Sequence, residues 1–217
     1  MDLSRNHRIR LAAAVATFTA TMSALGSQLA AKEAAHIEVR IVADDMCCQG
    51  CAQKVAAQLY AAPGVTDVRT DVPQRLVKIT AKPSPKLTLE RLWRAVEKGK
   101  GAPSKLITAQ ATYTLTSRER EPPSERLPVG RYVIKVAELQ QTADLQPIIA
   151  SLRSMSGVQH VDADMSQQTL TIQSSSNQQP LSEWALVRVV KQAGSVPVCV
   201  SGPFGSLAIE YALERGE

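Results

Sequence analysis

The chain has 217 residues, 44% of them hydrophobic and 21% charged, enough for one large domain or two small ones and too apolar for wholesale disorder. Its net charge of +5 comes from 25 basic and 20 acidic residues. Arg5, Arg8, Arg10 and Asp2 crowd the first ten positions, so the remainder carries about +3, too little to predict nucleic-acid binding.

The first ten residues are basic, Leu11 to Leu25 run without a charge, and Ala24-Leu25-Gly26 places small residues where a signal peptidase inspects the chain. This layout predicts a secretory signal peptide over 1–26 and export to a periplasmic or extracellular compartment. The apolar run is short of the ~20 residues of a permanent anchor, so no membrane attachment is expected after cleavage. Ile37, Val39 and Ile41 alternate with Glu38 and Arg40, a strand with one buried face. Val55 and Leu59 give residues 51–62 a helical stripe, which Pro63-Gly64 stops. Val65 to Val72 and Leu76 to Ala81 read as two strands with a turn at Pro73-Gln74. Leu89, Leu92, Trp93 and Val96 recur at i, i+3, i+4 and i+7, a second amphipathic helix, and residues 107–115 close with a fourth strand. The order β-α-β-β-α-β is the ferredoxin-like arrangement, an α+β module with two helices on one face of an antiparallel sheet.

The sequence then repeats itself at an offset of about 93 residues. Gly64-Val65-Thr66-Asp67-Val68 meets Gly157-Val158-Gln159-His160-Val161, and Ile41, Val55, Leu59 and Ile79 meet Ile134, Ile148, Leu152 and Ile172. With a two-residue shift Trp93 falls on Trp184, which predicts equivalent core anchors, and Tyr113-Thr114-Leu115 resembles Tyr211-Ala212-Leu213. The organisation predicted is therefore two tandem modules, 36–115 and 131–213, joined by a Pro-rich charged linker at 116–130. In the second module Leu145, Ile148, Ile149 and Leu152 mark the first helix, and Leu181, Trp184, Ala185 and Val189 the second.

Four cysteines are too few to frame a fold of this length with disulfides, and three lie within five residues, in Asp45-Met46-Cys47-Cys48-Gln49-Gly50-Cys51. Cys48 stands just before the first helix and Cys51 in its first turn, where free N–H groups and the positive end of the helix dipole favour thiolates. Two converging thiolates suit soft, low-coordinate ions such as Cu(I) or Hg(II). Zn(II) or Cd(II) would need ligands from a second molecule, since no further Cys/His pair is near in this module and His36 belongs to the far end of the first strand. The same spacing also fits a thiol-disulfide redox pair or an inert disulfide. Cys47 admits three roles: a third thiol ligand, a buried spacer or a resolving thiol. Consecutive side chains on an extended segment point to opposite sides, which predicts that Cys47 contributes less than Cys48 and Cys51.

Met46-x-Cys48-x-x-Cys51, with Ala52-Gln53-Lys54-Val55 behind it and Pro63-Gly64-Val65 beyond, resembles the heavy-metal-associated domain family over residues 36–115. That family includes copper chaperones, metal-binding domains of copper-transporting ATPases and a periplasmic mercury-binding protein. The resemblance implies Cys48 and Cys51 as ligands, a metal-transporting ATPase or another thiol-bearing acceptor as partner, and capture, trafficking or detoxification by ligand exchange. It also implies that a basic residue before the fourth strand offsets the charge of a bis-thiolate site, a part open to Lys98 or Lys100. Met46 matches the motif, but its repeat counterpart is Leu139, which predicts an apolar plug rather than a thioether ligand.

In the second copy Cys48 falls on Gln141 and Cys51 on Asp144, with Thr142 and Asp144 reading as helix-start residues. No soft-metal site is expected there. Cys199 reads as a free buried cysteine or as a thiol reaching the first module across an interface, and His160 as a strand-surface residue. The sequence holds no phosphate-binding glycine loop, Ser/His/Asp set or HExxH, so no enzyme is predicted; a non-catalytic protein-interaction module is the rival class.

Overall fold

The computed structural model describes residues 36–117, 127–137, 142–175 and 180–212. The signal segment expected at 1–26, Leu139, Gln141 and most of the linker expected at 116–130 lie outside them. Fourteen elements are described: β1 (Ile37–Ala43), α1 (Gln49–Tyr60), β2 (Val65–Asp71), β3 (Leu76–Ala81), α2 (Leu89–Lys98), β4 (Pro103–Ile107) and β5 (Ala111–Ser117), then β6 (Arg131–Val136), α3 (Thr142–Arg153), β7 (Val158–Asp164), β8 (Thr169–Ser174), α4 (Glu183–Gln192), β9 (Pro197–Gly202) and β10 (Gly205–Tyr211).

The alternation read in β1 holds at Val39 and Ile41, which are buried with Ala43 while Glu38 and Arg40 are exposed; Ile37, expected on the buried face, is exposed at the start of the strand. Val55 and Leu59 bury the inner stripe of α1, each burial being worth ~1.5–3 kcal/mol. Gly64 and Gly157 follow their helices at φ +91° and +93°, a left-handed stop that only glycine takes at no steric cost. Strand order β2-β3-β1-β4 makes the first half ferredoxin-like, an antiparallel sheet with α1 and α2 against it.

Two expectations change. The fourth strand expected at 107–115 is a hairpin, β4 and β5, turned at Thr108-Ala109-Gln110. The Thr108 hydroxyl supplies the turn chemistry that a glycine or proline would signal, donating to the Ala111 carbonyl and accepting the Ala111 N–H. Second, each half does not keep a sheet to itself. All described strands join one antiparallel sheet of order β2-β3-β1-β4-β5-β10-β9-β6-β8-β7. Thr116 and Ser117, expected in the linker, are the end of β5 and pair with Ser206 and Gly205.

The registers define an approximate two-fold axis. Leu106 faces Tyr113 across β4 and β5, while Val200 faces Leu207 across β9 and β10, so the closing hairpins correspond at an offset of 94. Tyr113 opposite Ile209 and Leu115 opposite Leu207 then exchange under a rotation centred on the Thr114–Ala208 pair. Tyr113 corresponds to Leu207, not to Tyr211. The bulges after Val42 and Lys135 and the strand-opening Pro103 and Pro197 repeat as well.

The helix caps shift the tryptophans. Thr88 and Ser182 stand at the N-cap positions of α2 and α4, so Trp93 corresponds to Val187, and Trp184 to Glu90. Trp93 is 2% exposed, with Nε1 donating to Glu97 Oε1 at 2.9 Å. Trp184 is only partly buried; it sits 5.5 Å from Trp93 and 5.3 Å from Tyr113, across the seam between halves. The buried face of α4 is Leu186, Val187 and Val190, rotated from the stripe expected through Trp184, Ala185 and Val189. The Ser182 hydroxyl donates to Glu90 across the same seam at 3.0 Å.

Candidate metal centre

The cysteine loop is tied down before its first thiol. As β1 ends, the N–H groups of Asp44 and Asp45 donate to the carbonyls of Ala102 and Gly101, each at 3.0 Å, and Met46 N–H donates back to Ala43. Met46 is fully buried, 0% exposed, in the hydrophobic core, as the repeat comparison predicted of an apolar plug. Cys47 N–H donates to Asp45 O at 2.9 Å, which bends the chain immediately ahead of α1.

The segment that receives these bonds lies against α1 because Gly99 and Gly101 have no side chains. A Cβ on Gly99 would stand 2.6 Å from Val55 Cα, and one on Gly101 would stand 2.7 Å from Val96 Cγ1 and 3.0 Å from Val55 Cγ2. The close approach was legible only in the glycine spacing on either side of Lys100. Lys100 takes φ +59° and is exposed on this segment. Lys98, expected on the same loop, is instead the last residue of α2 and lines a groove with Gln58 and Arg94.

Cys48 is the N-cap of α1, its sulfur accepting the N–H of Cys51 at 3.3 Å. The first turn of α1 carries no acidic residue, and the positive end of the helix favours the ionised form of a thiol placed there. The Sγ atoms of Cys48 and Cys51 are 2.9 Å apart, a hydrogen-bonded pair. Sharing a proton with Cys51, together with the Cys51 N–H, lowers the pKa of Cys48, while the same pairing raises that of Cys51. The pair therefore loses its protons in two separated steps, the first easier and the second harder than for an isolated thiol. Cys47 and Cys48 are exposed, and Cys51 is half-buried against the core.

Cys47 departs from the extended-segment expectation. The sulfurs of Cys47, Cys48 and Cys51 all lie within 4.8 Å of one another. The bend at Asp45 turns Cys47 out of strand geometry, so alternation no longer separates it from Cys48.

The second half keeps the frame without the donors. Thr142 opens α3 with Asp144 in its first turn, as expected of helix-start residues. Cys199 does not reach the first module. Antiparallel pairing of β5 with β10 sends the two β-to-helix loops to opposite ends of the sheet, and β9 lies four strands from β1, about 19 Å at the usual spacing. Its thiol is partly buried, 3.7 Å from the Ser201 hydroxyl. His160 is exposed on β7 and pairs with Asp162 at 2.8 Å, and His36 stands at the start of β1, away from the thiols. Among the described residues no helix is long and apolar enough to cross a membrane.

No curated protein matches the chain significantly. Among solved structures, oxidized MerP from Ralstonia metallidurans CH34 aligns at 22% identity and TM-score 0.30, covering 35% of this chain and 100% of that one. The N-terminal soluble domains of Bacillus subtilis CopA align at 15% identity and TM-score 0.34, over 85% of this chain and 99% of that one. The family model described as the heavy-metal-associated domain matches residues 41–102, which run from the end of β1 through the cysteine loop to the Gly99–Gly101 segment. Over that segment the chain is similar to the heavy-metal-associated domain family.

Proposed function

We propose that the protein is an exported, non-catalytic carrier of a soft metal ion, held by the thiolates of Cys48 and Cys51. The observation that carries this reading is the convergence of three thiols, two of them exposed, on a helix N-terminus whose first turn holds no acidic residue. Cu(I) and Hg(II) are the favoured cargo, because two thiolates satisfy their preference for soft, low-coordinate sites; Zn(II) and Cd(II) would draw further ligands from a partner. Transfer is ligand exchange. A thiolate of the acceptor, such as a metal-transporting ATPase, attacks the bound ion, a three-coordinate state forms, and one protein sulfur leaves. An exposed loop admits the incoming thiol, whereas a closed cage of four ligands would exclude it. The basic, then apolar, then small-residue pattern over 1–26 supports export.

Binding requires both thiols to lose their protons, so affinity falls as pH falls, and the second, harder ionisation of the pair carries the larger share of that dependence. The test is an anaerobic Cu(I) titration of reduced protein beside the Cys48→Ser, Cys51→Ser double variant. The wild type should take up one equivalent, and the variant should lose at least about 100-fold in affinity. Oxidation to the disulfide should abolish uptake, since only thiolates are ligands. Unchanged uptake by the folded double variant would place the site elsewhere.

A further inference from the structure

We infer that Cys47 is a third sulfur donor, and that the loop takes thiophilic species forming three bonds to sulfur, of which trivalent arsenic is the member its charge fits best. The inference deepens the soft-metal reading above and rests on it.

Geometry carries the first part. With metal–sulfur bonds of ~2.3 Å, a two-sulfur linear site needs its sulfurs about 4.6 Å apart, and a trigonal site needs each pair about 4.0 Å apart. The sulfurs of Cys47, Cys48 and Cys51 all fall within 4.8 Å of one another, so one central atom reaches all three by side-chain rotation. Cys48 and Cys51, at 2.9 Å, must open by about 1.7 Å for a linear ion and only about 1.1 Å for a trigonal one. Cys47 and Cys48 are exposed, so this opening displaces no core side chain.

Charge carries the second. Three thiolates around Cu(I) leave two negative charges and around a divalent ion one, whereas around As(III) they leave none. The loop already contains Asp44 and Asp45, and the first turn of α1 adds no cation. A neutral adduct suits it better than an anionic one. The exchange balances without redox. Each thiol of Cys47, Cys48 and Cys51 replaces one hydroxyl of arsenous acid, an As–O bond breaks, an As–S bond forms, and the thiol proton leaves with the hydroxide as water.

The experiment titrates reduced full-length protein and the Cys47→Ser variant with sodium arsenite and, in parallel, with Cu(I). Sulfur-to-arsenic absorbance reports binding, and alkylation followed by mass spectrometry reports which thiols are protected. In the wild type, arsenite should protect Cys47, Cys48 and Cys51 and leave Cys199 alkylated. Cys47→Ser should lose at least about tenfold in arsenite affinity while its Cu(I) affinity stays within about threefold. Protection of only two thiols, or equal arsenite affinities, would overturn the third donor even where Cu(I) binding is intact. Loss of Cu(I) binding by the wild type with three-thiol arsenite protection would instead overturn the two-thiolate reading and leave this one standing.

Discussion

The strands β1 and β6 lead into helices on the same frame, and the sequences that join strand to helix differ in chemistry. Both leave their strand through a bulge, at Ala43 and Val136, and both lead to helices with matched buried positions, Val55 and Leu59 against Ile148 and Leu152. One presents three thiols at its helix start, while the counterparts of Cys48 and Cys51 are Gln141 and Asp144. The frame is held by apolar residues that face the sheet, the donors by residues that face solvent. Either set can change without the other, and this is why a repeat that survives in the core is lost at the site.

A second contrast lies in the segments that follow α2 and α4. Gly99-Lys100-Gly101 in the first half corresponds to Ala193-Gly194-Ser195 in the second. The first half removes two side chains so that this segment can touch α1 beside the thiols, and it places a lysine in the left-handed conformation. The second half puts a glycine in that left-handed position, at φ +88°, with nothing within 4 Å of where its Cβ would be. The halves share the turn, but only the first carries a lysine on it.

The comparison breaks most readily at the tryptophans. Trp93→Ala should cost about 3–5 kcal/mol in urea unfolding, the range for emptying a buried aromatic site. Trp184→Ala should cost about 1–3 kcal/mol, because its ring is only partly buried and contributes mainly through contacts with Trp93 and Tyr113. Equal losses would restore the equivalence that the sequence repeat implied. Gly99→Ala comes next, at about 1–3 kcal/mol, since the new Cβ meets Val55 backbone, which cannot step aside. Its counterpart Ala193→Gly should cost under about 1 kcal/mol, and a first-half penalty no larger than that would mean that the close approach to α1 is dispensable.

The smallest effect sharpens the contrast by reversing sign. Lys100→Gly should stabilise the protein by about 1 kcal/mol in a thermal melt by relieving the left-handed lysine, and Gly194→Ala should destabilise it by about 1–2 kcal/mol. If Lys100 offsets thiolate charge, the stabilised variant should also bind Cu(I) up to about tenfold more weakly, an exposed charge being worth little more. Stabilisation with unchanged Cu(I) affinity would leave that lysine without an electrostatic part at the site.

The elements legible in the sequence were those whose signal is local. Alternation in β1, the Val55–Leu59 stripe, the glycine stops and the Cys48/Cys51 spacing each depend on a few neighbouring residues, and each holds. Met46 was readable as core because a second copy carried leucine at the same place. Tertiary structure decided what depends on distant partners. The β4–β5 hairpin turns on a threonine hydroxyl rather than a glycine, so composition concealed it. Merging both halves into one sheet required β5 to find β10 about 94 residues away, and that antiparallel pairing set Cys199 at the wrong end of the sheet to reach the thiols. The register of α2 against α4 came from caps and seam packing, which separated two tryptophans that sequence alignment had equated. Cys47 joined its neighbours through one backbone bend at Asp45, because a side chain's direction follows from φ and ψ, and those are set by the hydrogen bonds that tie Asp44 and Asp45 to the Gly101–Ala102 strand entry.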